Sequence, residues 1–198
     1  MVRYTVGGGG LCTATLLMDV PRTFRPFMLS ADHCGVDAGQ APSVVAYWSY
    51  QASTCNGPRD GAGNAVTQSG AQHRASLLAS DFVLFEMDAP PPPTADAYWS
   101  GWDRSDAPPQ ASVAIHHPNG DEKAISFDDD PLTKGENCIR RPGQFPDTHW
   151  YVGQYEAGTT EPGSSGCALY DAASHALVGT LSGGNALCGV RDYDCYGR

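Results

Sequence analysis

Short apolar runs recur along the chain, most of about four to eight residues, as strands typically are. They are Leu11–Met18, Val44–Tyr50, Leu77–Met87, Val113–His117, Ala124–Phe127, His149–Tyr155, Cys167–Tyr170 and Ala176–Leu181. Val, Ile, Tyr, Trp and Phe are frequent in them, which suits a pleated, half-buried surface. Asn-Gly, Asp-Gly, Pro-Gly and Gly-Gly pairs punctuate the intervals as turn signals. No segment sustains a 3.6-residue apolar period over three turns, so the pattern predicts an all-β protein.

The proline run breaks this pattern once. Ala89-Pro90-Pro91-Pro92-Pro93-Thr94 cannot donate to a sheet ladder and favours an extended strap. It divides the chain into 1–89 and 95–198, each with several expected strands. Two β halves of similar size, facing each other across a cleft, are the expected organisation. The alternative is a proline-rich surface loop inside a single sandwich. No internal repeat is visible.

Composition narrows the function classes. The 198 residues hold 23 glycines and 15 prolines, as a chain that turns often should. Twelve Lys and Arg against 22 Asp and Glu give a formal charge of −10. An acidic surface repels phosphate backbones, so nucleic acid is not an expected partner, whereas basic substrates are attracted. No apolar stretch reaches the roughly 18 residues of a membrane-spanning helix. Seven cysteines without a C-x₂-C pair point to an oxidised, exported protein with disulfides rather than to a zinc site. Their odd number leaves at least one thiol free or intermolecular. Against export, Met1–Val6 runs straight into Gly7-Gly8-Gly9-Gly10, so no secretory leader is expected in this chain.

Three local patterns carry candidate chemistry. Leu29-Ser30-Ala31-Asp32-His33-Cys34-Gly35 puts a histidine at the end of an apolar stretch. Ser80-Asp81-Phe82-Val83-Leu84-Phe85 opens an apolar strand with an acid. Thr160-Glu161-Pro162-Gly163-Ser164-Ser165-Gly166-Cys167 sets a serine between glycines on a tight turn leading into a strand. Such a turn exposes a hydroxyl and aims successive N–H groups into one concavity. Singly, each pattern is as well explained by a structural histidine, a capping acid and a linker. Jointly, in the order His, Asp, Ser, with the proline strap before the serine, they suggest a catalytic set across a cleft. His116-His117 with Asp121 and Glu122 could suggest a metal site, but adjacent strand residues point to opposite faces, and no metal is expected.

On these stretches the sequence resembles the chymotrypsin-fold serine peptidases, in particular the bacterial lysyl endopeptidases. Cys12-Thr13, Val44–Tyr50, Gly101-Trp102-Asp103-Arg104, Ile115-His116-His117-Pro118 and Tyr196-Gly197-Arg198 extend the likeness over almost the whole chain. The resemblance implies two antiparallel β-barrels of the six-stranded type. It implies a triad of His33, Asp81 and Ser165, and an oxyanion hole from the N–H groups of Gly163 and Ser165. Ser182, Gly183 and Gly184 would pair with substrate backbone. Asp194 would receive a substrate lysine, or arginine, in the primary pocket, with Asp192 as the alternative acid. A Cys12–Cys34 disulfide would staple the histidine loop.

The resemblance further implies a secreted, monomeric endopeptidase acting on protein or peptide, without cofactor. A catalytically inactive homologue binding peptides through the same cleft is the alternative.

Departures from the family pattern are visible. Asp32 precedes the histidine, Cys167 replaces a residue that is usually serine, and Ser182 stands where the lysyl enzymes carry histidine. The family partners of Cys55 and Cys188 are missing, and Cys138, Cys167 and Cys195 have no family counterpart, so their pairing stays open. A chain truncated at both ends relative to the family is therefore expected.

Overall fold

The computed structural model describes residues 1–135, 138, 146–190 and 192–198. Fourteen β-strands form two seven-stranded antiparallel sheets, and the one α-helix among the described residues is the single turn Gly61–Asn64. The all-β expectation holds. The first sheet contains β1 (Val2–Val6), β2 (Gly10–Leu17), β3 (Phe27–Ala31), β4 (Val45–Trp48), β5 (Val66–Ser69), β6 (Ala71–Leu77) and β7 (Phe82–Met87), in the order β5-β4-β1-β2-β3-β7-β6. The second contains β8 (Ser112–His116), β9 (Ala124–Asp128), β10 (Thr133–Lys134), β11 (His149–Val152), β12 (Ala168–Asp171), β13 (Leu177–Gly184) and β14 (Asp194–Gly197), in the order β10-β11-β14-β13-β12-β8-β9.

In each sheet the two edge strands are neighbours in sequence. β5 and β6 meet at Gly70, and only a short connection separates β9 from β10. An open sheet cannot satisfy such short links between opposite edges, so each sheet curls back on itself into a barrel-like shell. The strand count is seven rather than six because Gly70 splits one corner strand into β5 and β6, and the two-residue β10 counts separately.

Burial follows the period-two rule where one face meets a core. In β1 the buried positions are Val2, Tyr4 and Val6, and in β7 they are Val83, Phe85 and Met87. In β2 and β3 the alternation fails and burial is nearly continuous. These strands have covered faces on both sides, one toward their own core and one toward the second sheet. Leu29 and Leu17 of that outer face pack with Ala168 and Leu177 of the second sheet.

The segment between the sheets runs along both. Leu17 bridges to Ser100 and Trp102 to Leu177. Two disulfides close loops, Cys12–Cys34 and Cys138–Cys195, with sequence separations of 22 and 57. The first is the bridge expected from the resemblance. Loop-closure entropy gives them stabilisations of about 3 and about 4 kcal/mol. Cys55 and Cys188 are exposed free thiols, and Cys167 is a buried one.

Candidate active site

His33 lies in a single 3₁₀ turn, Asp32–Cys34, that continues β3. Gly35 ends this turn in the left-handed region, and the Cys12–Cys34 disulfide pins it to β2. Asp81 also sits at a turn end, just before β7, with φ of 52° and ψ of 42°. A short polar side chain tolerates that conformation better than most. The two loops are joined through backbone, since Asp32 N–H donates to Asp81 O at 3.0 Å.

The side chains then meet. The Asp81 carboxylate accepts from the His33 ring at Nδ1 (2.7 Å) and from the His33 backbone N–H (2.9 Å). A third donor comes from the other sheet, where the Ser182 hydroxyl reaches the same carboxylate at 2.6 Å. Burial alone would raise the Asp81 pKa. The hydrogen bonds from His33 and Ser182 and the attraction of the imidazole overcome it and hold the carboxyl below its ordinary range. An ionised Asp81 can only accept, so it fixes the proton of neutral His33 on Nδ1 and leaves Nε2 as the basic nitrogen. His33 keeps a partly exposed side chain, whereas the Asp81 side chain is fully buried.

Ser165 comes to this place on a turn built by the second half. Ser164 N–H donates to Glu161 O, Cys167 N–H to Ser164 O, and Gly166 N–H to Leu181 O. Gly163 and Gly166 take φ of +93° and +79°, and a Cβ on either would run into neighbouring backbone. At Gly166 that backbone belongs to Thr13 and Ala31 of the first sheet, so only glycine lets the two halves approach this closely.

The first half grips the turn in return. Thr13 N–H donates to Ser165 O at 2.9 Å, and its hydroxyl donates to Gly163 O at 2.9 Å. Cys34 Sγ lies 3.9 Å from Ser165 O, which brings the His33 loop alongside the serine. The structure thus gathers His33, Asp81 and Ser165 at one junction between the sheets.

A pocket of about 430 Å³ opens beside Ser165. Thr160, Gly183, Gly184 and Leu187 line its walls, and Asp194 is among its lining residues. Asp194 is 1% exposed on the fully buried strand β14, next to the Cys138–Cys195 disulfide. Its carboxylate accepts from the Thr160 hydroxyl at 2.5 Å and from the Tyr155 hydroxyl at 3.1 Å. Asp192 faces a different pocket, of about 340 Å³, with Cys188, Gly189 and Val190. Of the two acids weighed from the sequence, Asp194 is the one that shares a cavity with Ser165.

The remaining singled-out residues separate. His116 points to Ser126 and Ser164, while His117 Nδ1 meets Asp121 O. Asp121 pairs with Arg59 at 2.6 Å, and Glu122 accepts the Gly61 N–H at 2.6 Å. The four side chains are not gathered around a common point. Two contacts have no sign in the sequence: the Ser182 hydroxyl bond to Asp81, which leaves the Ser182 backbone to its expected role, and the bonds of His116 beneath the serine turn.

The two curled sheets define a two-barrel antiparallel β protein of the chymotrypsin-like fold. The lysyl endopeptidase C-terminal domain family matches residues 1–197, and the chain belongs to that family. A lysyl endopeptidase of Pseudomonas aeruginosa is 30% identical over 195 residues, covering 93% of this chain and 39% of the relative. The chain therefore spans about two fifths of the length of that curated relative. Among solved structures, the thermostable serine protease AL20 from an extremophilic microorganism superposes with a TM-score of 0.61 at 14% identity, covering 99% of this chain and 88% of that one. The HtrA-type protease AlgW with a tripeptide gives 0.61 at 17% identity, covering 98% of this chain and 55% of that one. These distant likenesses establish the fold.

Proposed function

We propose that this chain carries a serine endopeptidase activity, with Ser165 as nucleophile, His33 as general base and acid, and Asp81 as the group that orients His33. The observation that supports it most is the 2.7 Å pair between His33 Nδ1 and Asp81 Oδ2, beside the Ser165 turn. Ser165 Oγ attacks the scissile carbonyl carbon while His33 Nε2 takes its proton. His33 then gives that proton to the leaving amine as the C–N bond breaks, leaving an acyl-serine. Water deprotonated by His33 hydrolyses this ester and restores the hydroxyl. The N–H groups of Gly163 and Ser165 hold the oxyanion, each worth about 2.7–4 kcal/mol in enzymes of this kind. Ser182, Gly183 and Gly184 pair with the substrate backbone as a short strand.

Cleavage after lysine is the specificity proposed, with Asp194 receiving the ammonium group. A buried carboxylate already held by two hydroxyls strongly favours a cation over an uncharged side chain. The acidic surface, with a formal charge of −10, favours the approach of basic substrates. The two disulfides support export to an oxidising compartment.

Fluorophosphonate labelling followed by mass spectrometry tests the nucleophile. A single adduct on Ser165, lost in Ser165→Ala and in His33→Ala, is expected. A folded protein that takes no adduct, or takes it elsewhere, defeats the assignment. For specificity, peptide amides with lysine or its uncharged isostere norleucine at the cleavage site are compared. Asp194→Asn is expected to remove the preference for lysine; retained preference in that variant transfers the role to Asp192.

A further inference from the structure

Beneath the Ser165 turn lies a fully buried histidine that the proposed chemistry does not use. His116, at the end of β8, is 0% exposed, and its two ring nitrogens bond two different serines. Nε2 is 3.0 Å from Ser126 Oγ, and Nδ1 is 2.9 Å from Ser164 Oγ. The hydrogens can be placed by counting. Ser126 Oγ donates its only proton to the Thr159 carbonyl at 3.2 Å, so it must accept from His116 Nε2–H. A neutral ring protonated at Nε2 has a bare Nδ1, which accepts the Ser164 hydroxyl proton. Ser164 Oγ in turn accepts the Glu161 N–H at 3.2 Å.

The result is one directed chain of hydrogen bonds, from Glu161 N–H through Ser164, His116 and Ser126 to Thr159 O. It begins and ends on the same backbone segment. Between those anchors lies Thr160, whose hydroxyl bonds Asp194, and just beyond them lie Gly163 and Ser165. Burial agrees with a neutral ring, since it pushes the His116 pKa down to about 4.

We propose that His116 is a positioning residue for the nucleophile turn, acting as an Nε2–H imidazole that accepts from Ser164 and donates to Ser126. This rests on the peptidase reading above for its catalytic consequence, though not for its geometry. His116 fixes the turn from below while Thr13 fixes it from the first sheet. It thereby sets the oxyanion donors and the lysine pocket in one frame.

Two amide side chains separate hydrogen bonding from bulk. His116→Asn can place its Oδ1 near the Nδ1 position and keep the acceptor for Ser164. His116→Gln keeps a donor toward Ser126 but has no acceptor at the Nδ1 position. Displacing reacting groups by about 1 Å can cost about 10²-fold. Peptide-amide hydrolysis is therefore expected to fall about 10²-fold in kcat/KM for the Gln variant, and the rate of fluorophosphonate labelling by a similar factor. The Asn variant is expected to recover most of that loss. A space-filling histidine predicts the reverse order, because Gln is closer to it in size; that order, or parental rates in both, overturns the proposal.

Nitrogen NMR of the parent decides the tautomer without any activity, and a hydrogen on Nδ1 rather than Nε2 also overturns the proposal. So does unchanged hydrogen exchange of the Glu161 amide in the Gln variant. If the parent neither labels nor hydrolyses, the peptidase reading fails, while the tautomer and exchange results still decide the role of His116.

Discussion

The two sheets share a topology and differ in what they bury. The first core is mainly apolar, built around Val2, Tyr4, Leu16, Met28, Val83 and Phe85, with Thr13, Thr15, Ser30 and Asp81 as its polar residues at 2% exposure or less. The second interior includes Ser112, His116, Ser126, Asp128, Thr180 and Asp194 at 2% exposure or less, beside an apolar cluster around Trp150 and Leu169. An apolar core loses stability in proportion to the volume removed. A polar interior is held by specific donors and acceptors, and losing one partner leaves the other unsatisfied. The comparison teaches that one half supplies a rigid platform for His33 and Asp81. The other trades part of its hydrophobic stability for a set of directed bonds around Ser165 and Asp194.

The largest effect expected is on Ser165. Ser165→Ala should lower kcat by about 10⁶-fold, as removal of the nucleophile does in related chemistry, with an unchanged unfolding midpoint. Its counterpart in the platform is Phe85→Ala. That change should cost about 3–5 kcal/mol in denaturant unfolding while leaving kcat of the folded fraction near parental. A Phe85 variant with normal stability would erase the distinction between the halves.

Acid should act chiefly on the second half. Burial holds His116 near a pKa of about 4 and His117 near about 3, against an ordinary 6.5. Between those values the unfolded chain binds protons that the folded one refuses. The stability that these two histidines contribute is therefore full above about pH 6.5 and falls as the pH drops toward 3, on the order of a few kcal/mol, partly offset by Asp128, whose burial-raised pKa of about 6 acts in the opposite sense. Asp81, with its carboxyl held below the ordinary range, adds a further loss at still lower pH, as it becomes protonated in the folded state. Denaturant midpoints across this range check the sign, and a flat profile would contradict the buried neutral histidines.

The smallest effect is at Ser182, which donates to Asp81 across the cleft. Hydrogen bonds to charged groups contribute about 1.5–3 kcal/mol. Ser182→Ala should therefore reduce kcat by about tenfold and raise the Asp81 pKa toward its ordinary value, which carbon NMR titration of the Asp81 carboxyl reads directly. An unmoved Asp81 carboxyl titration would show that the Ser182 bond contributes nothing to the lowered Asp81 pKa.

How far the sequence could be read follows from the same contrast. Strands with one apolar face, such as β4, β8 and β12, stand out as runs of the right length. So does β7, although the run Leu77–Met87 is broken where Asp81 turns into the left-handed region. β5 and β6 escaped because Thr67, Gln68, Gln72 and Arg74 make them polar edge strands. β14 escaped because its buried residues are Asp194, Cys195, Tyr196 and Gly197, which form no apolar pattern. β1 escaped because its five residues, with only Val2, Tyr4 and Val6 buried, run directly into four glycines and form no longer apolar pattern.

At the site, His33, Asp81 and Ser165 stand out in the sequence only jointly, through their order and the family resemblance, since each local pattern alone has a structural explanation. The bonds of His116 to Ser164 and of Ser182 to Asp81 join residues 48 and 101 positions apart. Single serines and histidines give no local sign of such partners. The pairing of Cys138 with Cys195 was undecidable for the same reason, since connectivity is set by the fold and not by spacing.

Thr13 is one residue through which the two halves hold one another. Its backbone N–H and its hydroxyl are committed to the carbonyls of Ser165 and Gly163, and its hydroxyl oxygen accepts from His117 N–H at 3.2 Å. A strand of the platform is thus also a wall of the reactive turn. For protein engineering this means that the boundary between the sheets is a poor place to exchange parts. A chimera that takes one half from a relative inherits a turn fitted to someone else's β2. Two fragments separated in the proline strap would each lose half of this junction, and the serine turn would be without its Thr13 anchor until they reassembled.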